Sequence, residues 1–150
     1  MSEVPFDRYR RGGRELLGPP PPGDETSRHG YGVRVLEECG AACVYCGRDL
    51  GGPYESRLDF SVDHVVPTNT IGCGYPKDWV DDLLNLVACC RHCNEFLNRY
   101  EVDEPPLDGL EAFCALRDRV FLDKRKRTGV RHEQERAYYD AWRARRLSGG

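Results

Sequence analysis

Apolar positions along the chain change period several times, and each change marks an element. From about Ser27 to Cys39, Tyr31, Val35, Leu36 and Cys39 recur at helical spacing, which predicts a helix closed by Gly40. Leu58, Phe60 and Val62 then alternate with Asp59, Ser61 and Asp63, the period of a strand that ends near Val66, before Pro67. Thr68 to Lys77 reads as a glycine-bearing loop, and the short apolar run Leu83 to Ala88 can pair back as the second strand of a hairpin. Helical character resumes after Cys90 and runs through Asn94 to about Tyr100; Pro105-Pro106 stops any continuation. Two further helices are predicted. Leu110, Phe113, Cys114, Arg117, Val120 and Phe121 stripe the first, and Gly129 separates it from the second. The second carries Val130, Gln134, Ala137, Tyr138, Ala141 and Trp142, whose helical spacing favours core packing over stacking on bases.

Composition sets the scale of this core. The 150 residues are 39% hydrophobic and 31% charged, with 16 glycines and 10 prolines, a profile for one small domain that needs a staple. Gly18 to Gly30, with Pro19-Pro20-Pro21-Pro22, is extended rather than helical. These breaks divide the chain into a basic arm and Pro-rich linker (1–26), a core (27–104) and a C-terminal helical extension (105–150). Met1 to Arg14 is polar and arginine-bearing with no apolar run behind it, so no signal peptide or membrane span is readable and a cytoplasmic setting is expected.

The net charge is -3, but its distribution is uneven. Residues 117 to 146 hold 11 basic and 5 acidic side chains, whereas residues 18 to 116 hold 7 basic and 17 acidic. A basic tail beside an acidic body suits a protein that meets phosphates locally; the same run can also be a solvated helix face.

Eight cysteines are the candidate staple. In a reducing compartment paired cysteines favour metal over disulfides. Cys43-x-x-Cys46 and Cys90-x-x-Cys93 each put two thiolates on one tight turn, and two such turns make a tetrahedral Zn²⁺ site that keeps no open position. Cys89-x-x-His92 has the same spacing, which leaves the register of the second pair open. The metal would clamp both ends of the intervening segment. That segment holds Asp63-His64-Val65-Val66-Pro67 and Asn85, and Asn94 follows the last cysteine.

Together these residues resemble the HNH endonuclease family, and most closely its four-cysteine subgroup of endonuclease VII-like enzymes. The matching runs are Cys43-Val44-Tyr45-Cys46-Gly47, Val62-Asp63-His64-Val65-Val66-Pro67, Asn85-Leu86-Val87 and Cys90-Arg91-His92-Cys93-Asn94. The resemblance implies an α+β chain built on a small ββα-metal (His-Me finger) core, stapled by the four-cysteine zinc site, with an N-terminal helix and C-terminal helices. It implies His64 as general base, Asp63 and Asn94 as ligands of a catalytic Mg²⁺ or Mn²⁺, and Asn85 as the brace that orients the histidine. Two departures stand out. Asn94 occupies a position held by histidine in many relatives, and Glu95-Phe96 stands where many carry Lys-Gly, leaving Arg99 as the candidate phosphate contact.

The leading expectation is therefore a DNA endonuclease. The alternative is a non-catalytic zinc-stabilised module that binds nucleic acid through Lys124 to Arg127 and the later arginines. A third reading makes the C-terminal stripe a docking face for a protein partner. A monomer with one site nicks; a double-strand break needs sequential cuts or a homodimer, and no membrane partner is expected.

Overall fold

The computed structural model describes residues 31–106 and 108–149, so the basic arm and proline run of 1–26, and the first turn expected at Ser27, lie outside the described residues. Helix α1 spans Tyr31–Glu38 and buries Val35 and Leu36. It ends in the expected way: Gly40 takes φ 68°, and the N–H groups of Gly40 and Ala41 turn back onto the carbonyls of Glu37 and Leu36. A short α2 (Tyr54–Leu58) leads into β1 (Phe60–His64), which pairs antiparallel with β2 (Leu86–Cys90). The register sets Phe60 against Cys90, Val62 against Ala88 and His64 against Leu86. Between the strands lies α3 (Lys77–Val80), and α4 (Arg91–Phe96) starts on the residue after β2, completing a ββα unit. The fold is α+β.

The stretch joining the strands, expected to be a plain loop, is more ordered than that. Thr68–Cys73 forms a 3-10 helix ahead of α3, and Leu83–Asn85 forms a second 3-10 turn after it. Proline explains the two longer pieces: Pro67 and Pro76 each sit immediately ahead of a helical start, where their missing N–H costs nothing. The hairpin strand predicted over Leu83 to Ala88 is therefore shifted towards the cysteines. Asp82 accounts for the shift, because its side chain accepts from the Leu84 N–H and caps a turn where a strand would otherwise begin.

The largest correction lies at the C-terminus. Instead of two helices broken at Gly129, one helix, α5, runs from Leu110 to Ser148. A glycine inside a helix costs only about 1 kcal/mol relative to alanine. Here the ion pairs Arg127–Asp123 and Arg131–Glu135 flank it, and the burial of Phe121, Lys124 and Thr128 holds the turn before it. The first half of α5 buries Phe113, Leu116, Arg117, Val120, Phe121, Lys124 and Thr128, with Phe113 on Tyr75 and Trp79, Phe121 on Tyr45 and Lys124 on Asp63. Beyond His132 the helix leaves the body, and residues 133–149 are all exposed. Val130, Tyr138 and Trp142, expected in the core, are exposed, and the Trp142 ring meets Tyr139 and Arg146 of its own helix. Helical spacing records a stripe but not whether another element reaches it. No helix among the described residues is long and apolar enough to cross a membrane.

Candidate active site and metal centre

The first cysteine pair sits in a knuckle that the backbone folds tightly. Cys43 N–H donates to the Arg48 carbonyl, Gly47 N–H returns to the Cys43 carbonyl, and Gly47 takes φ 78°, a conformation glycine adopts without steric cost. The knuckle leans on β2: Val44 N–H donates to the Ala88 carbonyl, and the Ala88 N–H reaches the Cys39 sulfur. The second pair straddles the strand-to-helix junction, where Cys90 Sγ accepts the Cys93 N–H as the cap of α4.

Together these turns bring the ligand atoms of Cys43, Cys46, Cys90 and Cys93 to within 4.8 Å of one another. A tetrahedron with metal–sulfur bonds of about 2.3 Å has sulfur–sulfur edges of about 3.8 Å, and Cys46 Sγ lies 3.8 Å from Cys90 Sγ. The four thiols fit a structural Zn²⁺. Their electrostatics point the same way. Hydrogen bonds from the Cys90 and Cys93 thiols hold Cys43 down to about 2, while its proximity pushes Cys90 up to about 12 and Cys93 higher still. Four sulfurs this close cannot all ionise without a cation among them. Of the two registers at the second pair, the cluster holds Cys90 and Cys93. Cys89 lies outside the cluster at full burial, which pushes its thiol up, and His92 is exposed on α4.

At the far end of the hairpin, Asp63, His64, Asn94, Lys124, Asn69 and Tyr100 are among the residues lining one cavity of about 320 Å³. Strand alternation sends Asp63 and His64 to opposite faces; both reach the cavity because they are the last two residues of β1. Asp63 Oδ2 accepts from the Tyr45 hydroxyl at 2.5 Å and from Lys124 Nζ at 2.9 Å. Lys124 Nζ also donates to the His64 carbonyl and lies 5.3 Å from the Tyr100 ring centroid. Asn94 comes from the first turns of α4, its Nδ2 donating to Ser61 Oγ at 3.0 Å. That orientation leaves the amide oxygen as its acceptor. Asp63 and Asn94 both line the cavity and both carry side-chain oxygens, the donor type that Mg²⁺ or Mn²⁺ prefers.

Asn85 stands apart from this cavity. Its side chain is fully buried, its Nδ2 donates to the carbonyls of Val66 and Val80, and its Oδ1 accepts the Val66 N–H. Its contacts brace the backbone on both sides of the loop. The contact to the His64 imidazole is instead made by Asp81, whose Oδ1 lies 3.2 Å from Nε2. Arg99 is exposed and does not line the cavity.

Residues 43–99 match the family model for HNH endonuclease. This segment is an HNH domain. It contains both cysteine pairs, β1, the connecting segment, β2 and α4. No curated protein and no solved structure matches the chain.

Within the HNH domain and the helix that covers it, four contributors escape the sequence reading. Lys124 falls in a basic run that looks solvent-facing, although it continues the buried α5 stripe at three residues after Phe121 and four after Val120. Tyr45, inside the knuckle, stacks on Phe121 with ring centroids 5.4 Å apart, and burial pushes its hydroxyl well above the usual range. His132 reaches from α5 to the Cys93 sulfur at 3.1 Å and packs edge-on to Phe96, pinning the helix to the thiol cluster. Asp81 carries no motif at all. A larger cleft, of about 1110 Å³, opens between the knuckle and α5. Arg48, Arg131 and Arg136 there are balanced by Glu95, Glu133 and Glu135, and none of Asp63, His64 and Asn94 lines it, so the smaller cavity beside His64 is the better candidate site.

Proposed function

We propose that the HNH domain is a metal-dependent DNA endonuclease with His64 as general base. The observation that carries this reading is the meeting of His64, Asp63 and Asn94 on one cavity inside the family segment. His64 accepts a proton from a water; the water oxygen bonds to phosphorus as the bond from phosphorus to the 3′-oxygen breaks. The products carry a 5′-phosphate and a 3′-hydroxyl. Asp63 and Asn94 would hold a Mg²⁺ or Mn²⁺ ion, which when bound supplies positive charge to the leaving oxygen. Zinc on Cys43, Cys46, Cys90 and Cys93 has four protein ligands and serves structure alone.

Conversion of supercoiled plasmid to the relaxed circle tests the reading. Cleavage is expected with Mg²⁺ or Mn²⁺ and none with EDTA at a dose that spares the zinc. Asn94 is the cleanest ligand to vary because it is partly exposed and its replacement strands no buried charge. Asn94→Ala should lose roughly 10- to 100-fold in rate, part of it regained at raised Mg²⁺. Unchanged rate and metal dependence in Asn94→Ala would remove Asn94 from the metal site. A protein that binds DNA in a salt-sensitive way but does not cleave it with any divalent ion would instead be the non-catalytic zinc module.

A further inference from the structure

We infer that Asp81 is a positioning residue that fixes the His64 imidazole in one tautomer and one orientation. The inference rests on the reading of His64 as the base, and its own support is geometric. Asp81 Oδ1 lies 3.2 Å from His64 Nε2, and the second carboxylate oxygen is engaged by Lys77 Nζ, so the carboxylate is held at both oxygens. The Asp81 N–H returns to the Lys77 carbonyl at 2.9 Å, closing the turn at the end of α3.

The strongest feature is the buried amide behind this pair. Asn85 Nδ2 donates to the Val66 carbonyl at 2.9 Å and to the Val80 carbonyl at 2.8 Å. Val66 lies two residues after His64, and Val80 lies one residue before Asp81. One side chain therefore fixes both backbone segments that bring imidazole and carboxylate together. The brace role implied for Asn85 is thereby given a route: it acts on the histidine through Asp81.

The chemistry follows from the inventory of the ring. An ionised carboxylate only accepts, so Nε2 carries the N–H and the lone pair sits on Nδ1. Nδ1 is then the nitrogen that accepts a proton from water. Asp81 does not line the cavity, so it acts through His64 and touches no reacting atom. Among the described residues, the charged groups near this pair include Asp63, next in sequence, Lys124 on the His64 carbonyl, and Lys77 on Asp81.

Tautomers are read from imidazole ¹⁵N shifts of the zinc-loaded full chain, at a pH where the rings are neutral. The four histidines are distinguished by the signal missing in His64→Ala. Wild-type His64 should be in the Nε2–H form, and Asp81→Ala should show a mixture of both forms. In parallel, Asp81→Ala should lower kcat on plasmid about 10- to 100-fold with KM changed less than about twofold. Asp81→Asn, whose amide oxygen still accepts, should regain most of that loss. An unchanged tautomer or an unchanged kcat in Asp81→Ala overturns the inference, and so does a wild-type ring in the Nδ1–H form, which needs no variant to fold. A wild type that cleaves nothing would sink the nuclease reading alone, because the spectra still decide the Asp81 contact.

Discussion

A chelator strong enough to empty the four-thiol site is expected to unfold the HNH domain. The knuckle at Cys43 and Cys46 is short, and it is tied to the hairpin by the thiols, the Tyr45–Asp63 hydrogen bond and a few hydrogen bonds around Ala88. Structural zinc in small domains contributes on the order of 10 kcal/mol of apparent binding free energy at neutral pH. A whole domain is stable by only about 5–15 kcal/mol. The apolar core around Phe60, Leu86 and Phe121 will retain some of that, so the expected apo state is collapsed and fluctuating rather than an extended coil. Circular dichroism melts with zinc release followed in parallel check this. The cooperative transition should vanish on stripping and return on adding Zn²⁺. Cys46→Ser should behave like the stripped protein, whereas Cys114→Ser, away from the cluster, should melt like wild type. A transition unchanged after complete zinc release would remove the staple from the account.

The second large effect is expected at Lys124. Its ammonium is almost wholly buried and held by Asp63 and the His64 carbonyl. Lys124→Ala leaves the Asp63 carboxylate without its cation, with the Tyr45 hydroxyl as its remaining neutral donor. Breaking a buried pair from one side costs about 3–5 kcal/mol, whereas replacing both charges by neutral groups of similar shape is often close to neutral. Urea denaturation should therefore show Lys124→Ala to be severely destabilised and Asp63→Asn/Lys124→Met to recover much of the loss. A Lys124→Ala protein within about 0.5 kcal/mol of wild type, the range of ordinary surface substitutions, would mean that the pair is not held in solution. The same geometry advises against Asp63→Ala as a catalytic probe, since it strands a buried ammonium.

What can be read along the chain, and what cannot, divides by the range of the interaction. The ββα core and the cysteine cluster rest on local signals: two CxxC turns, the alternation from Phe60 to His64, and a glycine after each of α1 and the knuckle. The long α5 and its exposed second half are not legible, because Gly129 punctuates equally well as a break or as a tolerated helix position. Lys124 is hidden by its charge. Its place on the buried stripe points inward, but a lysine goes inside only when a distant carboxylate waits there, and no periodicity reports Asp63 sixty-one residues away. Asp81 is the limiting case. Its link to His64 exists through α3, which begins where the loop read over Thr68 to Lys77 ends, so nothing in the spacing can single it out.

The most direct test compares plasmid nicking by zinc-loaded wild type and His64→Ala, matched for folding by their melts, under Mg²⁺ and under Mn²⁺. Loss of a general base should slow cleavage by ~10²–10⁴ while zinc content and DNA affinity stay level. Equal rates in the two proteins would contradict the assignment of His64, and no nicking by wild type with either ion would contradict the nuclease itself.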